Sequence, residues 1–277
     1  LYAPFYLSRA SLKSGEERLV DLLKAEQVGM SWRTGFALIN HYTANNQWQQ
    51  AVETGKKYIK KYPSNYYIGL KYAKALCETG QYQPCISLLN KMQVLPNEGS
   101  YAGRAVYRAA NLYQAMEQLS RKNYRQVMRN VEASKEWPEN LGVGKPYDDM
   151  IDSRLEDYLE AKALMGQGDN QKAATLLSSV AGYKTSRSRF GSGNLLTALA
   201  LRELGKEVEA DRMVASWETD FPENRITQWC AAVYRGEMEK ASGMLKSRNE
   251  QADTTPWETS FRDSNFDLIV RLFSTAD

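Results

Sequence analysis

The feature that most limits what this chain can fold into is a spacing that recurs along it. A small residue is followed seven positions later by a Gly and five after that by another small residue. Ala161, Gly168 and Ala173 keep this interval, as do Ala198, Gly205 and Ala210. Ala73, Gly80 and Cys85 repeat it, and Trp229, Gly236 and Ala241 hold it with a large first member. Ile39, Asn46 and Ala51 preserve the register with Asn in place of Gly, and Asn also tolerates a left-handed backbone. The physical reading is two antiparallel helices whose backbones approach at the small residues, joined by a tight turn at the Gly or Asn. Pro63, Pro96, Pro138 and Pro222 follow the second small residue, or the equivalent Val127, by 11 or 12 positions and end each second helix. Such a pair cannot bury its own apolar face, so it stacks on the next. The intervals from Cys85 to Val127 and on to Ala173 are longer, which predicts an extended helix over about 101–121 and a loop over 138–147.

This unit of about 34 residues, with Trp48, Tyr82 and Tyr124 as turn-region aromatics, resembles the tetratricopeptide repeat. Asn170, Glu207 and Met238 replace the aromatic in later units. The resemblance implies an all-α fold, a right-handed α-α superhelix of about seven helix pairs forming one domain over 1–277. Residues 1–31 read as a divergent N-terminal helix pair, 32–248 as repeats, and 255–277 as a C-terminal capping helix carrying Phe261, Phe266, Ile269, Val270, Leu272 and Phe273. A narrower likeness rests on Trp137-Pro138-Glu139-Asn140-Leu141-Gly142-Val143-Gly144-Lys145-Pro146, with Ser31-Trp32-Arg33 and Phe221-Pro222-Glu223-Asn224. Together these are similar to the C-terminal repeat region of large bacterial proteins that carry an uncharacterised mutarotase-like β domain upstream. Leu1-Tyr2-Ala3-Pro4 has no initiator Met and no basic-then-apolar leader, which fits a piece of something longer.

Composition then narrows the chemistry. Lys and Arg total 36 against 33 Asp and Glu, a net charge of +3, too small to make nucleic acid or an anionic membrane the expected partner. No apolar run is long enough for a membrane span. Cys77, Cys85 and Cys230 form no disulfide framework, and a reducing, cytoplasmic setting is favoured. His41 is the one histidine, so zinc sites and histidine-based nucleophilic sites are poor expectations. No catalytic, cofactor-binding or metal-ligating set is expected, and no cofactor.

Local clusters are read in the same way. Gly142 to Pro146 has Pro where a phosphate loop needs Ser or Thr, and reads as an inter-repeat turn. Lys184, Arg187 and Arg189 before Gly191-Ser192-Gly193 could meet an anion, although such linkers are usually solvated. Asp148, Asp149, Asp152 and Glu156 are expected to oppose a helix dipole rather than hold a cation. Glu156, Asp157 and Glu160 are expected on a solvated face, as are Lys56, Lys57, Lys60 and Lys61. His41 is expected to pack or face a partner.

In the resembled family the first helix of each pair lines the concave side. The corresponding positions are Phe36 and Asn40, Leu70 and Lys74, Leu112 and Met116, and Tyr158 and Lys162, with Tyr67 and Lys71 flanking. Rings with Lys and Asn heads suit capture of an extended peptide. Phe36 stands where repeats that clamp a C-terminal carboxylate use Lys. The function that follows is a non-catalytic protein-binding or scaffolding module, its partner a protein, a peptide, or an upstream domain of the same chain. The alternative is the accessory region of a larger bacterial carbohydrate-active enzyme, shaping its active site.

Overall fold

The computed structural model describes residues 2–96, 101–183, 190–250, 263 and 265–274. Among the described residues every regular element is helical. Helices α1 (Ala3–Ser11) and α2 (Gly15–Val28) form the first pair, followed by α3 (Trp32–Ala44) with α4 (Trp48–Lys61) and α5 (Tyr66–Glu78) with α6 (Tyr82–Lys91). The long α7 (Ala102–Ser120) pairs in sequence with α8 (Tyr124–Lys135). After two short 3-10 turns come α9 (Arg154–Gly166) with α10 (Asn170–Ala181), α11 (Gly193–Glu203) with α12 (Glu207–Asp220), and α13 (Arg225–Tyr234) with α14 (Met238–Glu250). Helix α15 spans Phe266–Ser274; Trp257 and Phe261, assigned to the same helix from sequence, lie outside the described residues.

The recurring spacing has one structural cause. Asn46, Gly80, Gly168, Gly205 and Gly236 all adopt positive φ, between 55° and 85°. Each donates its N–H three residues back, and the next residue donates five residues back: Gln47 to Tyr42, Gln81 to Leu76, Asp169 to Leu164, Lys206 to Leu201 and Glu237 to Ala232, at 2.8–2.9 Å. That is the Schellman arrangement, which closes the last turn of the first helix. Its final residue is also the N-cap of the second helix, so the chain reverses in the shortest possible span. The α7–α8 pair makes the same turn without Gly or Asn: Lys122 sits at φ 57°, and Asn123 donates to the Gln118 carbonyl at 2.9 Å. Seven residues before each left-handed residue and five after it, the side chains are fully buried: Ile39 and Ala51, Ala73 and Cys85, Ala115 and Val127, Ala161 and Ala173, Ala198 and Ala210, Trp229 and Ala241.

Contacts divide the chain into two compact units, Leu1–Asn111 with Glu136–Lys145, and Leu112–Lys135 with Pro146–Asp277. Within the first unit, consecutive helices from α1 to α6 pack on one another, and first helices also touch first helices, α1 on α3 and α3 on α5. Within the second, α8 to α14 do the same, with α9 on α11 and α11 on α13. Within each unit this sequential packing is consistent with a helical solenoid.

In the first unit, the buried Asp21 carboxylate on α2 accepts from both Arg9 and Lys13, and the Arg9 hydrogen bond holds its pKa well below the usual carboxylate range. Gly35 lets α4 approach α3, since a Cβ there would lie 2.3 Å from the Tyr58 ring. The segment over Trp137–Gly142 is the tie between distant parts of this unit. Asn140 donates its side-chain amide to the Leu89 and Met92 carbonyls, at 2.9 and 2.8 Å, and its own carbonyl accepts from Val94 N–H. Gly142 turns at φ 73° against Val94, and Arg104 lies over the Trp137 ring. Asn140 and Gly142 therefore cap the end of α6, while Gly144 and Lys145 are exposed.

The turns yield a paired expectation. A side chain in the left-handed region costs about 1 kcal/mol or more, and no atom lies within 4 Å of a Cβ added at Gly168 or Gly205. Gly168→Ala should therefore destabilise the fold by about 1 kcal/mol through backbone strain alone, while Lys122→Gly should stabilise it by about 0.5–1 kcal/mol. Chemical denaturation of the two variants checks both signs.

Candidate functional site

The first helices of the first unit bring aromatic rings together at the surface. Trp32 opens α3 directly after Ser31, whose side chain accepts from Thr34 N–H and fixes the helix start. Phe36 lies one helical turn further along. Tyr66 and Tyr67 open α5 after Asn65, which caps that helix by accepting from Ile68 N–H. The Trp32 and Tyr67 rings stack at 5.6 Å with planes 16° apart, Phe36 meets Tyr67 edge-on at 6.2 Å, and Tyr66 stacks on Tyr67 at 4.3 Å. Lys71 lies over the Phe36 ring at 5.5 Å and Arg33 over Trp32 at 4.6 Å. A hydrogen bond to Tyr67 pushes the Tyr66 phenol pKa up. Tyr67 keeps 46% of its surface exposed, while Trp32, Phe36 and Lys71 are half-buried. Of the positions expected from sequence, Phe36, Tyr67 and Lys71 meet here. Asn40 is half-buried one turn beyond Phe36, and Lys74 is exposed and paired with Glu78.

Trp32 and Tyr66 were not among the expected positions. Trp32 falls on the same i, i+4, i+8 line as Phe36 and Asn40, and that spacing could have found it. Leu70 turns to packing, with its side chain 3.3 Å from where a Gly103 Cβ would stand.

In the second unit the expectations are corrected by burial. Leu112 and Met116 are fully buried. Tyr158 is also buried, and burial is the main cause of its raised pKa, so it packs rather than offers a ring. Lys162 pairs with Glu203 at 2.7 Å across α9 and α11.

The carboxylates of this unit have structural tasks. Glu156, expected on a solvated face, is only 2% exposed. Asp157 and Glu160 both hold Lys135, at 2.8 and 3.1 Å. Burial alone would lower the Lys135 pKa, but the two carboxylates outweigh it and raise it. Asp152 accepts from the Arg154 backbone N–H and takes its guanidinium at 2.9 and 2.7 Å. Arg154 is itself buried, donating also to Asn194 and Thr197 and lying 4.0 Å over the Tyr183 ring. Asp148 and Asp149 are exposed on a 3-10 turn. Among the described residues no cluster of His, Cys, Asp and Glu could hold a metal ion, and no helix is long and apolar enough to cross a membrane. Lys184, Arg187 and Arg189 lie outside the described residues.

Lys56, Lys57, Lys60 and Lys61 are exposed on α4, as expected, with Lys57 paired to Glu26 and Lys61 donating to the Met30 carbonyl. His41 is buried, and desolvation pushes its imidazole below the usual histidine range. Cys85 donates to the Ala73 carbonyl at 3.2 Å, its pKa raised first by a hydrogen bond with Cys77 and then by burial.

No protein-family model matches the chain, and no curated protein matches it. The functional reading therefore rests on the geometry.

The three cysteines are free and buried, and burial drives the Cys230 pKa well above that of an ordinary thiol. A thiolate is the reactive form, so a thiol reagent such as DTNB should label none of them in the folded chain at pH 8 and all three in denaturant. Fast labelling of a native thiol would contradict the packing of the α5–α6 or α13 interior.

Proposed function

We propose that this chain is a non-catalytic protein-binding or scaffolding module of tetratricopeptide-like type, its helix pairs wound into a right-handed superhelix. The observation that carries the proposal is the ring cluster of Trp32, Phe36, Tyr66 and Tyr67, with the Lys71 and Arg33 cations, on the first helices of the first unit. Rings supply contact area at small entropic cost, and cations orient a carboxylate or a backbone carbonyl. The ligand this chemistry fits is an extended peptide with an apolar anchor and a nearby acidic group. The absence of turnover is supported by the engagement of the candidate acids: Asp152 with Arg154, and Asp157 and Glu160 with Lys135.

The test is selection from a displayed random-peptide library on the immobilised chain, followed by titration of the selected peptides. Tyr67→Ala should cost about 1–3 kcal/mol of affinity, the usual loss at an aromatic anchor. Lys71→Ala should cost less, and its effect should shrink with salt, because exposed charges are screened over about 10 Å at 0.1 M. Unchanged affinity in a folded Phe36→Ala/Tyr67→Ala double variant would move the site elsewhere.

A further inference from the structure

In the second unit, the first-helix layer already holds an occupant. Helix α15 lays Phe266 edge-on against Trp229 of α13, with centroids 5.2 Å apart, and Phe273 reaches the same indole at 6.5 Å. Phe266, Leu268 and Ile269 are buried, whereas Asp267 and Arg271 are exposed. The Arg271 guanidinium lies 5.6 Å over the ring of Tyr113 on α7. Just before the helix, Asp263 accepts from Ser192 N–H at 2.5 Å at the start of α11, and the Asn265 amide reaches Asp152 before α9 at 3.4 Å. The segment thus touches the beginnings or faces of α7, α9, α11 and α13, the first helices of this unit.

The manner of contact differs from that within the helix pairs. Paired helices meet through small, fully buried residues that bring backbones together, whereas α15 meets α13 ring on ring, with Trp229 where most pairs carry a small residue. Apolar anchors at i, i+3 and i+7, as at Phe266, Ile269 and Phe273, are how an amphipathic helix docks in a groove. We infer that the first-helix face of the second unit is a binding site for an amphipathic helix, and that α15 is its displaceable intramolecular occupant. A competing partner helix would carry an aromatic residue, a branched aliphatic three positions on and a second aromatic seven on, after Phe266, Ile269 and Phe273, with a carboxylate three before the first, after Asp263. This site is separate from the ring cluster of the first unit and stands without it.

The experiment uses the full chain. A fluorescein-labelled peptide of residues 263–274 is titrated by polarisation against the wild type and against Phe266→Ala/Ile269→Asp, which weakens the internal occupant. Tethering gives the internal helix an effective concentration in the millimolar range, so the wild type should bind the peptide at least tenfold more weakly than the variant. A peptide carrying Ile269→Asp should lose that binding. Three results overturn the inference: no binding by a variant that keeps the wild-type helical spectrum, equal binding by both proteins, or a variant that no longer melts cooperatively. The last would make α15 an integral part of the fold rather than a ligand.

Discussion

A backbone N–H that reaches five residues back to the end of the preceding helix recurs in each pair from α3–α4 to α13–α14, and the arrangement of the helices depends on it. Because the residue that donates this bond also starts the next helix, the reversal leaves almost no slack. Two helices joined in this way must run side by side, and the positions seven before and five after the left-handed residue face each other. A large side chain on both sides would hold the backbones apart, which is why those positions carry Ala, Cys, Val or Ile and are buried, with Trp229 the one large member. The first helices also touch their own kind in both units, α1 on α3 and α3 on α5 in the first, α9 on α11 and α11 on α13 in the second.

That constraint was legible in the sequence because it is local. Gly80, Gly168, Gly205, Gly236 and Asn46 announce themselves by residue type, and their spacing follows from helix geometry. Lys122 shows the limit: its backbone takes the same conformation, between the buried Ala115 and Val127, and no residue type signals it. Burial of Leu112, Met116 and Tyr158 was equally hidden, since their positions in the first helices match those of Phe36 and Asn40. Burial depends on neighbours distant in sequence, and periodicity carries no information about them. The 263–274 segment is a case of this kind: its amphipathic pattern could be read, but not the face it would cover.

The polar groups show the same division between local and distant causes. In sequence Asp152 looks like part of an acidic helix start, where the dipole alone would account for it, and Asp157 and Glu160 like a solvated helix face. In the fold they meet Arg154 and Lys135. Arg154 in particular satisfies its guanidinium through Asp152, Asn194 and Thr197, and Gly193 supplies the room, since a Cβ there would stand 2.3 Å from the guanidinium. A buried arginine so fully engaged fixes how the starts of α9 and α11 meet. Against these engaged charges, the ring cluster at Trp32 and Tyr67 stands out as apolar surface left in reach of solvent.

The central claim is that the six turns are one repeated backbone device rather than loops that happen to be short. Native-state amide hydrogen exchange followed by NMR tests it directly at Gln47, Gln81, Asn123, Asp169, Lys206 and Glu237. If their N–H groups close the preceding helices, all six should be protected, opening only with the helix pair to which each belongs. Exchange at the rate of an unstructured chain at these positions, while the flanking helices stay protected, would contradict the account.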